Sequence, residues 1–198
     1  MANAITVARF PLLAVLVILI YLGTHLARTI AIPLLILLLA MDTLDGIVAR
    51  HRGETSLQGS VLDVASDRTV EQVLWIVFAD LGLVPVVIPL IIIPRGILTD
   101  SIRSVVISRG IEPFNMMQSR VGRFLIKSPV MRTSYSASKV LAFVGMTTVY
   151  MLQGSGYAWY KAWQIALLSS WIALALCLLR GLPVIIETPG FFRGLEEM

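Results

Sequence analysis

The 198 residues are 57% hydrophobic and only 14% charged, with a formal net charge of +4, whereas soluble proteins carry about 25% charged residues. A soluble core of this length would leave too much apolar surface in water, so the composition excludes a soluble protein and favours one membrane domain. Cys177 is the only cysteine, which excludes an intrachain disulfide and a cysteine-based metal site.

Six apolar runs approach the roughly 20 residues that a helix needs to cross a bilayer. We expect an all-α integral membrane bundle of six transmembrane helices, at about 8–25, 29–48, 60–81, 83–105, 138–152 and 162–179. A signal peptide is the alternative for the first run, but more apolar runs follow it in place of a soluble domain. The membrane domain is expected to cover 1–182, with a C-terminal tail at 183–198.

The basic residues collect on one side of the predicted spans. The connections after the first, third and fifth spans contain only Arg28 and Lys161. Eleven basic residues fall at or beyond the opposite ends: Arg9, Arg50, Arg52, Arg103, Arg109, Arg120, Arg123, Lys127, Arg132, Arg180 and Arg193. The positive-inside rule therefore predicts cytoplasmic N- and C-termini in the cell (inner or plasma) membrane. The same distribution explains the net positive charge without a nucleic-acid partner.

One extended polar stretch, at 104–137, is interrupted by Gly110, Pro113 and Pro129. Its basic residues alternate with apolar ones, which predicts a cytoplasmic loop containing a short interfacial helix. An ordinary basic loop is the alternative. The alternating residues are Phe114, Met116, Met117, Arg120, Val121, Arg123, Phe124, Leu125 and Lys127.

The residues suited to chemistry lie in the hairpin between the second and third spans. One group shares a face of the second helix by its spacing: Asp42, Asp45, Gly46 and Ala49. A second group shares a face of the third helix: Gly59, Asp63 and Asp67. Because the turn at 51–56 makes the two helices antiparallel, we expect the four carboxylates to point into one space.

Four carboxylates so close together repel one another, and each is costly at membrane depth. A divalent cation among them removes this cost, and hard oxygen ligands favour Mg²⁺ or Mn²⁺. The small residues of the hairpin allow a nucleotide to approach the backbone closely, and Arg50 is suited to clamping a diphosphate. Helix-terminal acids facing water are the alternative, but they do not require this spacing.

The pattern D-x2-D-G-x2-A-R-x8-G-x3-D-x3-D, from Asp42 to Asp67, resembles the signature of the CDP-alcohol phosphotransferases at every fixed position. The resemblance implies a CDP-diacylglycerol or related donor, Mg²⁺ or Mn²⁺ as cofactor, release of CMP, and a homodimer. It implies that the metal is bound by Asp42, Asp45, Asp63 and Asp67, with Asp67 also acting as general base. It implies that CDP is bound by Asp45, Gly46, Ala49, Arg50 and Gly59.

The N-terminal residues Asn3, Thr6 and Arg9 resemble the opening segment of the same family, whose polar groups lie near the donor phosphates. These residues are therefore expected to contact CDP. Anchoring of Arg9 at the membrane interface is the alternative.

Arg95 and Arg103 lie two helical turns apart in the fourth span, and Lys139 begins the fifth. An arginine in a run as apolar as that around Arg95 requires an anion or a water-filled cavity. The three cations resemble the basic pocket that binds the phosphate of a small phosphorylated alcohol acceptor, although snorkelling to the interface is the alternative. Their spacing resembles the phosphatidylglycerophosphate synthase branch, which implies sn-glycerol 3-phosphate as acceptor.

Inositol 1-phosphate is the alternative acceptor, because the run Asp67-Arg68…Glu71 also resembles inositol-phosphate-transferring relatives. An internal Arg68–Glu71 ion pair is the simpler explanation of that run. A transporter or proton pathway would account for acids within membrane helices, but not for the small residues and the arginine at their spacing. An inactive scaffold is disfavoured because the acids are intact.

Overall fold

The structure, a computed structural model, describes residues 2–52, 57–108, 119–153 and 156–196. Within these ranges only the backbone is described at 2–5, 42–52, 57–58, 60, 120–121 and 189–196. All regular structure in the described ranges is helical, which confirms the all-α class. The helices are α1 (Ala2–Leu22), α2 (His25–Arg52), α3 (Leu57–Asp80), α4 (Val87–Ser108), α5 (Arg120–Lys127), α6 (Pro129–Met151) and α7 (Tyr157–Glu196).

Except for α4, the helices that the apolar runs predicted are longer than those runs. α6 begins at Pro129, nine residues before the predicted span at 138, and α7 continues without a break past 182 to Glu196. Hydropathy marks only the apolar part of a helix, whereas backbone hydrogen bonding continues into polar residues at its ends. The polar stretch at 104–137 is consequently shorter as a loop than expected, because α4, α5 and α6 occupy most of its described part.

Membrane-spanning character is unevenly distributed among the described helices. One stretch, Tyr157–Thr188, is long and apolar enough to cross a membrane by composition alone, and Thr6–Leu22 and His25–Met41 are shorter apolar stretches. α3 and α4 contain acids and arginines within their apolar sequence, which lowers their average hydropathy. The six-span topology therefore stays a prediction.

The chain divides into two compact units. The first unit comprises Met1–Pro85 and Val140–Leu167, and the second comprises Val86–Lys139 and Leu168–Met198. In the first unit α1 packs against both α2 and α3. The buried rings of Trp75 and Phe143 pack edge to face there, with 4.9 Å between their centroids.

Polar contacts join three helices of the first unit. Near their beginnings, α1 and α3 are joined by Arg9 and Ser66, and near their ends by a 2.6 Å hydrogen bond from the Tyr21 hydroxyl to Asp80 Oδ2. The Tyr150 hydroxyl of α6 donates to the Ile20 carbonyl, at 2.7 Å. α1 and α3 therefore run in the same direction, and the end of α6 lies beside the end of α1.

In the second unit, the short helix α5 is attached to α7 by a carboxylate. Ser119 is its N-cap, and the Ser119 hydroxyl accepts a hydrogen bond from the Gly122 N–H. The Ser119 N–H and hydroxyl both donate to the Glu187 carboxylate. This short helix confirms the helical part of the prediction for the polar stretch.

Candidate active site

The acidic face of α3 consists of Asp63 and Asp67. The two residues are four apart on one helix, so their side chains lie one turn apart on the same side. Both carboxylates are about half exposed, at 48% for Asp63 and 44% for Asp67. Gly59, one turn before Asp63, is half-buried. The structure therefore brings the α3 members of the predicted site together as the spacing indicated.

Arg9 lies behind the acidic face, on the buried side of α1. Its side chain is only 1% exposed, and Nη1 donates a 2.8 Å hydrogen bond to Ser66 Oγ. Nη1 lies 3.9 Å from Asp63 Oδ1, and Nη2 lies 4.0 Å from Asp67 Oδ1. One buried guanidinium thus faces both carboxylates.

Ser66 positions this arginine, and the sequence analysis missed it. Ser66 is fully buried, and its hydroxyl also donates to the Asp63 carbonyl, at 3.1 Å. It follows Asp63 by three residues, so the helical spacing that grouped the acids also placed Ser66 beside them. Thr6, one turn before Arg9, is buried on the same side of α1, at 3% exposure.

The oxygen atoms of the acidic face suit a hard divalent cation. Asp63 Oδ1 is buried and has no hydrogen-bond partner within the described part of the chain. A carboxylate oxygen held in this way retains lone pairs for a ligand, and oxygen donors are those that Mg²⁺ and Mn²⁺ prefer. Among the described residues, no group of three metal-ligating side chains is found.

The α2 members of the predicted site are only partly within the description. Their backbone belongs to α2, which runs to Arg52, but their side chains lie outside the described residues, as does that of Asn3. Their place beside the acidic face therefore stays a prediction. These residues are Asp42, Asp45, Gly46, Ala49 and Arg50.

Glu71, one turn beyond Asp67, forms the ion pair that the sequence predicted. Its carboxylate is buried, and Oε2 accepts a hydrogen bond from Arg68 Nη1 at 3.3 Å. This contact within one helix explains the Arg68…Glu71 run without an acceptor-specific role.

A group of three cations, here named the basic group, lies in the second unit: Arg95, Lys139 and Arg180. Arg95 of α4 contacts α7 where Gly181 has no side chain. A Cβ at position 181 would lie 2.6 Å from Arg95 Cζ and 2.8 Å from Nη2. The glycine therefore makes room for the guanidinium, and Arg95 Nε is buried there without a hydrogen-bond partner in the described structure.

Tyr135 joins the other two members of the basic group. Its ring is buried, with Lys139 Nζ 4.8 Å and Arg180 Cζ 5.7 Å from the centroid. Both distances fall within the range of cation–π attraction. Arg103, the remaining predicted acceptor residue, is half-buried on α4, about 12 Å along the helix axis from Arg95.

Most of the chain matches the model of one protein family. The model of the CDP-alcohol phosphatidyltransferases matches residues 1–179. The chain belongs to the CDP-alcohol phosphatidyltransferase family. A comparison with curated proteins gives no match.

Because the chain belongs to this family, the protein is a transferase. Members are membrane proteins that use CDP-alcohol donors and alcohol acceptors, and they generally depend on a divalent metal. The matched region contains the acidic face together with Arg95 and Lys139. It ends immediately before Arg180 and Gly181.

Arg180 and Gly181 are the residues of the basic group that sequence reasoning missed. The predicted sixth span ends at 179, which makes Arg180 a topological charge at the end of a helix. The structure places it inside α7, which extends to Glu196. A cation within a continuous apolar helix is a signal for a buried anion or cavity, and a correct helix boundary would have revealed it.

Proposed function

We propose that the protein transfers the phosphatidyl group of CDP-diacylglycerol to sn-glycerol 3-phosphate, with release of CMP and formation of phosphatidylglycerophosphate. The observation that carries the proposal is the acidic face of α3, half open to solvent and backed by a buried arginine. Family membership supports the donor class and the type of reaction. The basic group supports a phosphorylated acceptor.

The bound metal, Mg²⁺ or Mn²⁺, would neutralise the diphosphate and stabilise CMP as the leaving group. Asp42, Asp45, Asp63 and Asp67 are the residues proposed to hold it. The hairpin residues Gly46, Ala49, Arg50 and Gly59 are proposed to contact CDP, together with Asn3, Thr6 and Arg9 at the start of α1.

Asp67 is proposed as the general base. The acceptor oxygen attacks the β-phosphorus, the bond from that phosphorus to the CMP oxygen breaks, and the acceptor proton passes to an Asp67 oxygen. Asp67 is about half exposed, so an acceptor hydroxyl has access to it. It is also the acid of the signature furthest along α3 from the hairpin turn.

Arg95, Arg103 and Lys139 are proposed to bind the acceptor phosphate, and the structure adds Arg180 as a fourth candidate. Lys139 and Arg180 lie beside one buried tyrosine, and Arg95 lies against Gly181. This group of cations favours an anionic ligand, because a neutral alcohol offers no opposite charge. This argument separates sn-glycerol 3-phosphate from glycerol, but it does not separate it from inositol 1-phosphate, which is the second candidate.

We propose a multi-pass protein of the cell membrane with six spans, both termini and the active site on the cytoplasmic side, and a homodimeric state. The common direction of α1 and α3 supports alternating crossings, because the first and third spans must then run the same way.

Cysteine labelling in intact cells tests this orientation. With Cys177 replaced by alanine, a cysteine at position 161 is expected to react with an impermeant reagent added outside, and one at position 54 is expected to resist it. Labelling at position 54 but not at 161 would show that the proposed orientation is inverted.

CMP release by the purified protein tests the proposed reaction. We expect CMP only when CDP-diacylglycerol, a divalent metal and the acceptor are all present. A transporter or an inactive scaffold would release no CMP under any of these conditions.

A further inference from the structure

Arg9 is buried more completely than either acid that it faces. Its side chain is 1% exposed, whereas the two carboxylates are about half exposed. Burial of a guanidinium is costly unless anions and hydrogen bonds compensate it. Ser66 supplies a hydrogen bond, and the acidic face supplies the negative charge.

The position of Arg9 also affects any cation that approaches the acidic face. Such a cation enters from the solvent side, and it meets two carboxylates that already share one positive charge. Arg9 lies about 4 Å from each carboxylate, a distance at which partly buried charges interact strongly. The guanidinium therefore stabilises the ionised acids while no metal is bound. It also weakens the attraction that the acids exert on a metal ion.

We infer that Arg9 is the resident counter-cation of the acidic face and lowers its affinity for divalent metal. The inference rests on the proposed function, because it assigns the metal to Asp63 and Asp67. A purely structural arginine that fastens α1 to α3 would stabilise the fold in the same way, but its removal would not tighten metal binding. Metal affinity therefore distinguishes the two roles.

The experiment measures Mn²⁺ binding to the full-length protein in detergent without donor, by titration followed with electron paramagnetic resonance. Arg9→Gln is expected to bind Mn²⁺ at least about tenfold more tightly than the wild type, because one nearby positive charge is removed. Arg9→Lys retains the charge and should stay within about threefold of the wild type. Arg28→Gln is the matched control, because Arg28 belongs to the same unit but lies 4.7 Å from the Tyr150 ring.

Thermal stability provides a second measurement from the same proteins. Arg9→Gln should melt below the wild type in EDTA and recover most of the difference when Mn²⁺ is added, since the metal then supplies the missing charge. If Arg9→Gln binds Mn²⁺ no more tightly than the wild type, or gains no more stability from it, the inference is wrong. The proposed function is judged separately, by CMP release from the wild type.

A second inference concerns α5, and different contacts carry it. The helix is fixed to α7 through Ser119 and Glu187, and a Cβ at Gly122 would lie 2.7 Å from Glu187 Oε1. Ile126 is buried on the same side as Gly122. Such specific attachment defines which face of α5 points outward.

The outward face of α5 consists of Arg123, Phe124 and Lys127. All three are exposed, and Phe124 is 66% exposed. An exposed aromatic ring between cations is typical of helices that lie in the membrane interface, where the ring enters the acyl boundary and the cations contact phosphates. Charge complementarity selects anionic headgroups over zwitterionic ones.

We propose that this face of α5 binds anionic phospholipid headgroups at the membrane surface. The test uses Cys177→Ala protein with a spin label at Phe124→Cys, reconstituted into nanodiscs of phosphatidylglycerol or phosphatidylcholine. The label should be accessible to oxygen in phosphatidylglycerol and more accessible to a water-soluble nickel reagent in phosphatidylcholine.

Adding Arg123→Gln and Lys127→Gln should remove that difference, whereas Arg132→Gln, an exposed cation of α6, should preserve it. Equal accessibility of the label in both lipids would overturn the proposal, whether the label lies in lipid or in water.

Discussion

The acidic face of the first unit and the basic group of the second are organised in different ways. Asp63 and Asp67 belong to one helix, so their spacing alone brought them together. Arg95, Lys139 and Arg180 belong to three helices. They are united by the contacts of Arg180 with Tyr135, which shares α6 with Lys139, and of Arg95 with Gly181. A site on one helix can be inferred from periodicity, whereas a site shared between helices requires their packing. The two regions are also opposite in charge.

The largest effect is expected at the acidic face. Asp67→Asn should lower turnover by at least about 100-fold, because an amide cannot accept the acceptor proton. Binding of the CDP-lipid with metal should be largely retained. The measurement is kcat for CMP release together with donor binding by titration.

Asp63→Asn is the matched comparison, because it removes a proposed metal ligand from the same face. It should weaken binding of metal and donor together. Near-normal turnover in Asp67→Asn would contradict the assignment of the base.

A smaller and more selective effect is expected at the basic group. Gly181→Ala places a Cβ against Arg95 and should displace its guanidinium. Because a charged hydrogen bond contributes about 1.5–3 kcal/mol, the acceptor KM should rise about 10- to 100-fold, with donor affinity nearly unchanged. Arg103→Ala and Arg180→Ala should act in the same direction.

Gly145→Ala is the control for packing damage. Its added Cβ would lie 2.9 Å from Ala166 Cβ, in the first unit. It should lower stability and leave the acceptor KM unchanged. An equal rise in acceptor KM in both glycine variants would show that Gly181 acts only through packing.

The smallest effect is expected at the far end of the α1–α3 pair. Tyr21→Phe removes the exposed hydrogen bond to Asp80 and should cost about 1 kcal/mol of stability. Turnover and metal affinity should not change, since the acidic face lies near the other ends of these helices. A loss of turnover comparable to that in Asp67→Asn would show that the two ends are coupled.

The sequence predicted the all-α class, the acids of α3, the Arg68–Glu71 pair and the short helix in the polar stretch, because each follows from spacing within one segment. It did not predict the start of α6 or the length of α7, since helices continue beyond their apolar residues. The role of Ser66 and the space at Gly181 depend on contacts between helices, which periodicity does not encode.

Arg9 is a second case in which spacing within one segment does not predict a contact between helices. Its resemblance to the family's opening segment placed it near the donor phosphates, and nothing in its spacing indicated that it would lie behind Asp63 and Asp67. Only the packing of α1 on α3 reveals that contact. Both interpretations place Arg9 in the same region of the molecule. The resemblance pairs it with the donor phosphates, whereas the structure pairs it with Asp63 and Asp67.

The central claim is that a phosphatidyl group passes to a phosphorylated alcohol, and the lipid product tests it most directly. Purified protein is given CDP-diacylglycerol and Mg²⁺ with equal concentrations of sn-glycerol 3-phosphate, inositol 1-phosphate, glycerol and inositol, and the lipids are identified by mass spectrometry. The account predicts phosphatidylglycerophosphate, with CMP released in equal amount. Phosphatidylglycerol or phosphatidylinositol formed directly from the free alcohols would contradict it.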